Sequence, residues 1–177
     1  MGKGTLIRAL LDRLPALRLS VSATTRPPRP GERDGVDYHF LTPDEFERRV
    51  ARAEFVEHAT YSGHRYGTLR SEVERAEDGL VLEIELQGAR QVRAALPDAV
   101  QVFIAPPSLE ALRERLVGRA SERPEQIESR LGRAREELAA RDEFAHVVVN
   151  DSLPRAVEEL TGLAASISES EPRSRTE

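Results

Sequence analysis

The sequence predicts an α/β fold in which a parallel sheet is covered by helices. Three observations predict it. Short apolar runs alternate with helix-period segments through most of the chain, which is how β and α elements alternate around a parallel sheet. The runs around Leu80-Val81-Leu82, Val102-Phe103-Ile104 and Val147-Val148-Val149 are apolar at successive positions, as strands buried on both faces require. Gly2-Lys3-Gly4-Thr5 opens directly into an amphipathic helix, like the back half of a phosphate-binding loop of the form G-x-x-x-x-G-K-[ST] but with Gly4 in the hydroxyl slot and Thr5 one place late.

The elements follow in order. Thr5 to Leu14 is a helix with Leu6, Ile7, Leu10 and Leu11 on one face. Leu17 to Val21 is a short strand. Ser22 to Asp37 is a loop, because Pro27, Pro28, Pro30 and Gly31 exclude regular structure. Pro43 to Arg52 is a helix opened by Thr42 as N-cap, with Glu45 completing a capping box. Glu54 to Tyr61 and Arg65 to Thr68 are strands of a small mixed region, and Ser71 to Ala76 is a turn or two of helix. Gly79 to Leu86 reads as a central strand and Gln87 to Leu96 as the helix after it. Ala99 to Ala105 is a second buried strand, and Ser108 caps a helix ending near Gly118. Pro124 at N1 starts a helix to about Arg141. Val147 to Val149 is a third buried strand, and Pro154 to about Ile167 is the last helix. Residues 166–177, rich in Ser, Glu and Arg, read as a disordered tail. No internal repeat is present.

Bulk properties narrow the function. The 177 residues suffice for a substantial core. The net charge of −5 disfavours a general nucleic-acid binder. The absence of cysteine excludes disulfide scaffolds and Cys-based zinc sites. His39, His58, His64 and His146 show no metal-ligand spacing. No apolar run approaches the roughly 18 residues of a membrane span, and a cytoplasmic protein with no membrane partner is the expectation.

Lys3 is the chain's only lysine, so its place between two glycines at a helix start is informative. Loop amides and a helix N-terminus cradle phosphate there, and the lysine reaches the outer phosphates. Arg26 and Arg29 stand three apart in Thr24-Thr25-Arg26-Pro27-Pro28-Arg29-Pro30-Gly31-Glu32, with Tyr38 following. Guanidinium forks bind phosphate bidentately, and proline lowers the entropy cost of holding them in place. In Phe55-Val56-Glu57-His58, an alternating strand puts Glu57 on the face opposite Val56, and Tyr66-Gly67-Thr68 returns nearby. A carboxylate there matches the N1–H and N2–H donors of guanine, with the Thr68 and Ser22 hydroxyls for the remaining edge. Glu83 and Glu85 end the apolar run from Leu80. Carboxylates at that end of a parallel strand lie at the ligand crevice, and the first resembles a Mg²⁺-organising acid. Arg115, Arg119 and Arg130 flank Gly118, where a helix end makes a mobile connector and lid arginines would neutralise a transferring phosphoryl group.

Together these segments resemble the guanylate kinase family from Gly2 to about Leu163. The resemblance rests on G-K-G-T-L, S-V-S-A-T-T-R-P-P-R-P-G-E, G-V-D-Y-H-F, F-V-E-H-A-T-Y-S-G-H-R-Y-G-T, L-E-I-E-L-Q-G-A and V-V-N-D, in the family order. It implies a P-loop kinase core (1–22, 78–118 and 134–165), a GMP-binding region (23–77) and a lid (119–133). It implies transfer of the γ-phosphoryl group of ATP to GMP with Mg²⁺. By resemblance Arg26, Arg29, Tyr38 and Tyr66 hold the GMP phosphate, and Ser22, Glu57, Thr68 and Glu85 contact guanine. Gly2, Lys3, Gly4, Thr5, Arg115 and Asn150 bind ATP, and Asn150 lies against the adenine. Lys3, Arg119 and Arg130 act on the transferring group, and Glu83 organises Mg²⁺ through water. Two departures stand out: Glu85 occupies a position where the family commonly has Asp, and the front half of the phosphate loop does not precede Gly2. The expectation is therefore a true start upstream of Met1 and poor activity of the chain as written. The rival reading is a guanylate-kinase-like binding module or an inactive copy with a decayed ATP site. Retention of Lys3, Glu57 and Asn150 argues against it.

Overall fold

A computed structural model describes residues 2–76, 79–117 and 124–170. In chain order the elements are α1 (Lys3–Arg13), β1 (Leu17–Leu19), β2 (Ala23–Thr24), β3 (His39–Phe40), α2 (Pro43–Ala51), β4 (Phe55–Tyr61), β5 (His64–Leu69), α3 (Arg70–Glu74), β6 (Gly79–Val81), α4 (Leu86–Ala95), β7 (Val102–Ala105), α5 (Leu109–Val117), α6 (Pro124–Ala139), a 3₁₀ turn (Arg141–Glu143), β8 (His146–Val149) and α7 (Leu153–Ser170). Capping sets several of the ends. The Thr42 hydroxyl accepts from the Glu45 amide at 3.2 Å, and Ser108 Oγ accepts from the Ala111 amide at 3.0 Å.

The chain divides into two compact units, Pro15–Ala99, and Met1–Leu14 with Val100–Glu177. The first takes in β1, β6 and α4 beyond the expected GMP-binding region. Within it a four-stranded sheet runs β3-β2-β5-β4. The β4–β5 hairpin turns through Ser62 and Gly63, both left-handed at φ 50° and 81°, as the twist of a two-residue hairpin turn demands. Ala23, Phe46, Phe55 and Leu69 form the core under this sheet, with the Phe46 and Phe55 rings stacked 4.4 Å apart. Beside it, β1 and β6 pair in parallel.

In the other unit β7 and β8 pair in parallel, and α1 packs on α7. Leu112 and Leu116 of α5 meet Leu131 and Ala134 of α6 in a buried cluster. Leu6, Val148 and Ala156 are fully buried.

Several expectations change. The parallel strands, expected in one sheet, form two-stranded ladders, one in each unit. With one ladder partner apiece, the apolar runs are mostly half-buried, although Val148 and Ala105 are buried. The strand expected to reach Leu86 stops at Val81. Glu83 and Glu85 therefore do not close a strand: the chain turns early because Glu85 is the N-cap of α4. Residues 166–170, expected in the tail, continue α7, and residues 171–177 lie outside the described residues. Residues 119–123 of the expected lid, Arg119 among them, also lie outside; residues 124–133 belong to α6. Among the described residues no helix is long and apolar enough to cross a membrane.

Candidate functional site

The Pro15–Ala99 unit brings the expected phosphate and base residues into two clusters. In the first, the Arg26 guanidinium lies 5.2 Å from the Tyr38 ring centroid and 5.8 Å from that of Phe40. Tyr38 and Tyr66 meet edge to face at 6.2 Å. A guanidinium over aromatic faces is attracted to them and is held near one place. Arg26 Nη1 donates to the Pro27 carbonyl at 2.7 Å and its Nη2 to Glu32 Oε1 at 2.9 Å. The other Glu32 oxygen accepts from the Arg29 amide at 2.7 Å, so one carboxylate ties both ends of the proline loop. The Arg26 bond, aided by the Arg29 amide, holds the Glu32 carboxyl below the usual range, and Glu32 in turn raises Arg26. Burial pushes the Tyr38 hydroxyl up, with Tyr66 and the charge of Glu83 adding to it. Glu83 is exposed and electrostatically within reach of the clamp. The Arg29 side chain is exposed. The hydroxyl-rich run before the clamp works as a brace: Thr24 Oγ1 donates to the Arg65 carbonyl and accepts from the Arg26 amide, and Thr25 Oγ1 accepts from the Arg65 amide.

The second cluster centres on Glu57, 5% exposed. A bulge between Phe55 and Glu57 shifts the ladder so that Glu57 stands directly opposite Thr68. The extra residue re-aims the side chains that follow it, and Phe55, Val56 and Glu57 are all buried. Thr68 Oγ1 donates to Glu57 Oε1 at 2.8 Å. Burial pushes the Glu57 carboxyl above the usual carboxylate range. The Thr68 hydroxyl offsets part of that rise, and the charge of Glu85 adds to it. Glu85 caps α4, accepting from the Gly88 amide at 2.6 Å and the Gln87 amide at 3.0 Å. Ser22 is half-buried, and its carbonyl accepts from the His39 amide at 2.9 Å.

Glu72 supports this loop, and no local motif singles it out. It is 4% exposed. Its carboxylate accepts from the Val21 amide at 2.9 Å and from Arg18 Nη1 at 3.2 Å, with His39 Nε2 at 3.5 Å. Burial acts to raise its carboxyl, and these three partners outweigh it and hold the group below the usual range. Glu72 thereby anchors the strand end that leads into Ser22. Glu32, Gly88 and Gln91 were missed likewise, and only the Pro-Gly-Glu turn hinted at the first.

In the other unit, Gly2 is left-handed at φ 76° and precedes α1 as its N-cap. Lys3, Gly4 and Thr5, expected at the ATP phosphates, make up the first turn of α1. A Cβ on Gly2 would lie 3.1 Å from Asn150 Nδ2, so Asn150, itself 7% exposed, packs against that turn. Arg115 Nη1 donates to the Asn150 carbonyl at 3.0 Å and Nη2 to that of Asp151 at 3.4 Å. Arg115 thus braces the Asn150 turn. Arg130 is exposed on α6, one residue before the buried Leu131.

A family model described as "Guanylate kinase" matches residues 1–166. The chain is similar to the guanylate kinase of Frankia casuarinae, 54% identical over 92% of this chain and 90% of that protein. It is similar to the guanylate kinase of Rubrobacter xylanophilus, 57% identical over 90% of this chain and 85% of that protein. Among solved structures it is similar to guanylate kinase from Anaplasma phagocytophilum, with a TM-score of 0.74 and 30% identity over 92% of this chain and 80% of that one.

Proposed function

We infer, for a chain that belongs to the guanylate kinase family, that its Pro15–Ala99 unit receives GMP and its other unit receives ATP. The chain phosphorylates GMP to GDP at the expense of ATP. The observation that carries the assignment of sites is the buried Glu57 carboxylate opposite Thr68. Two acceptor oxygens side by side, held in a desolvated pocket, match the adjacent N1–H and N2–H donors of guanine and leave adenine unpaired. Ser22, Thr68 and Glu85 meet the remaining base edge. Arg26, Arg29, Tyr38 and Tyr66 hold the GMP phosphate.

For ATP we assign Lys3 and the amides of Gly2, Gly4 and Thr5 to its phosphates, and Asn150 to the adenine. Arg115 acts through the Asn150 turn. Lys3, Arg119 and Arg130 neutralise charge on the transferring group. No protein nucleophile is required. A phosphate oxygen of GMP attacks the γ-phosphorus in line, the bond to the β-bridging oxygen breaks and ADP leaves. The chain contributes positioning and charge neutralisation. Mg²⁺ would supply charge neutralisation to the ATP phosphates when bound. Among the described residues no group of three or more His, Cys, Asp or Glu side chains could hold a metal ion. The exposed Glu83 would hold the ion through water. The proposed location is the cytoplasm, where both nucleotides are found.

The test is acceptor choice. The protein should form ADP and GDP in equal amounts from ATP and GMP and turn over AMP poorly. Losing a charged hydrogen-bond partner costs about 1.5–3 kcal/mol, so Glu57→Gln should lower kcat/KM for GMP by roughly ten- to a hundredfold. An unchanged preference for GMP over AMP in that variant would refute the base assignment.

A further inference from the structure

Gly88 is a glycine in the first turns of a helix, and its backbone does not need one. It is absent from the positive-φ residues, and glycine in place of alanine costs a helix about 1 kcal/mol. The reason for it lies across the gap to β4. A Cβ on Gly88 would stand 2.5 Å from Glu57 Oε2, 3.1 Å from Glu57 Cδ and 3.4 Å from Ile84 Cβ. The Glu57 carboxylate therefore rests on the bare Cα of Gly88. Its other oxygen is held by Thr68 at 2.8 Å, so the group is pinned from both sides.

Two neighbours on the same face of α4 complete the support. Glu85, three residues before Gly88, accepts from its amide at 2.6 Å. Gln91, three residues after, brackets the residue next to Glu57: its Nε2 donates to the His58 carbonyl at 2.8 Å, and its Oε1 accepts from the His58 amide at 3.1 Å. β4 is the edge strand of its sheet, so among the described residues no strand pairs with these His58 groups on that side, and the Gln91 amide takes the place of one. Residues at i and i+3 share a helix face, so 85, 88 and 91 present one surface to Glu57 and His58.

We propose that Gly88 and Gln91 are positioning residues for base selection: α4 sets where the Glu57 carboxylate stands, and through it the preference for guanine. This rests on the reading of Glu57 as the guanine acceptor. A methyl group at 88 would push Oε2 off its seat, and the acceptor pair would no longer match N1–H and N2–H together.

The experiment is a double-mutant cycle of Gly88→Ala and Glu57→Gln, read as kcat/KM for GMP and for IMP, which lacks the N2 amine, with the melting temperature beside it. In the wild-type background Gly88→Ala should lower kcat/KM for GMP at least tenfold and bring the GMP-to-IMP ratio toward one. The melting temperature should hold or rise, because alanine favours the helix. In the Glu57→Gln background the same change should alter neither rate by more than about twofold, since coupled sites are non-additive. Gln91→Ala should follow the same pattern with a smaller loss. A ratio unchanged by Gly88→Ala and by Gln91→Ala, or equal losses in both backgrounds, would overturn the inference while leaving Glu57 as the acceptor. A ratio unchanged by Glu57→Gln alone would overturn the reading beneath it.

Discussion

Arg26 of the proposed phosphate site donates to Glu32 of its own loop at 2.9 Å, with the two side chains only 11% and 18% exposed. The carboxylate also takes the Arg29 amide, so one acidic residue orders both arginines of the loop. The guanidinium also lies over the rings of Tyr38 and Phe40, which narrows the positions it can occupy. Preorganisation of this kind lowers the entropy that binding must offset.

Glu32→Ala should therefore raise KM for GMP. Ordering a rotamer-rich side chain costs about 0.5–1.5 kcal/mol, which corresponds to roughly a two- to tenfold rise. The turnover number should change little, because Glu32 touches no reacting atom. Steady-state kinetics with GMP varied at saturating ATP decide it, and a lower KM would mean that Glu32 competes with the phosphate.

Arg26→Ala should separate phosphate recognition from base recognition. GMP binding should weaken by tenfold or more, since a charged hydrogen bond contributes about 1.5–3 kcal/mol. Guanosine offers the arginine nothing to clamp, and its affinity should barely change. Calorimetry with both ligands is the measurement, and an equal loss for the two would point to damage of the loop.

Glu57 trades stability for recognition. Burial holds its carboxyl above the usual range despite the Thr68 hydrogen bond, so the folded chain binds that proton more tightly than the unfolded chain does. Its contribution to stability is most favourable below the unfolded value of about 4.3 and is lost as pH rises through the higher folded value. Glu57→Gln should therefore raise Tm at pH 7, and raise it less near pH 4, while lowering activity on GMP. In a chain of this size about 1 kcal/mol moves Tm by roughly 2–4 °C. Calorimetric melting of both proteins across that pH range is the check.

Glu72 carries the opposite sign. The Val21 amide, Arg18 and His39 hold its carboxyl below the usual range against the effect of burial. Its stabilisation is present above the unfolded value and lost as pH falls through the folded one. Glu72→Gln should lower Tm at pH 7, with about 1.5–3 kcal/mol at stake in its charged hydrogen bonds, and the gap from wild type should narrow toward pH 3. Because Val21 leads into Ser22, KM for GMP should rise as well. Melting curves and kinetics on one preparation test both effects.

The sequence by itself determined the local matters. Helix periodicity at Leu6 and Leu10 and the capping hydroxyls of Thr42 and Ser108 are statements about residues one to four apart, where intrinsic preference and side-chain reach decide the outcome. The proline loop with Arg26 and Arg29 and the acidic Glu57 were legible for the same reason: their chemistry is carried by a contiguous stretch of chain. Only the tertiary structure decided what those groups meet. Glu72 reaches Arg18 from 54 residues away, and nothing near either residue announces the other. The bulge at Phe55–Glu57 exists only against β5, and it turns Glu57 toward Thr68. The run from Leu80 looked like a long strand because its early residues are apolar, yet the Glu85 carboxylate does more for the free amides of α4 than a ladder would. What a side chain at Gly88 would meet is set by Glu57 of β4, 31 residues away in the chain. Burial, close approach and long-range pairing depend on which surfaces meet, and that depends on the whole chain.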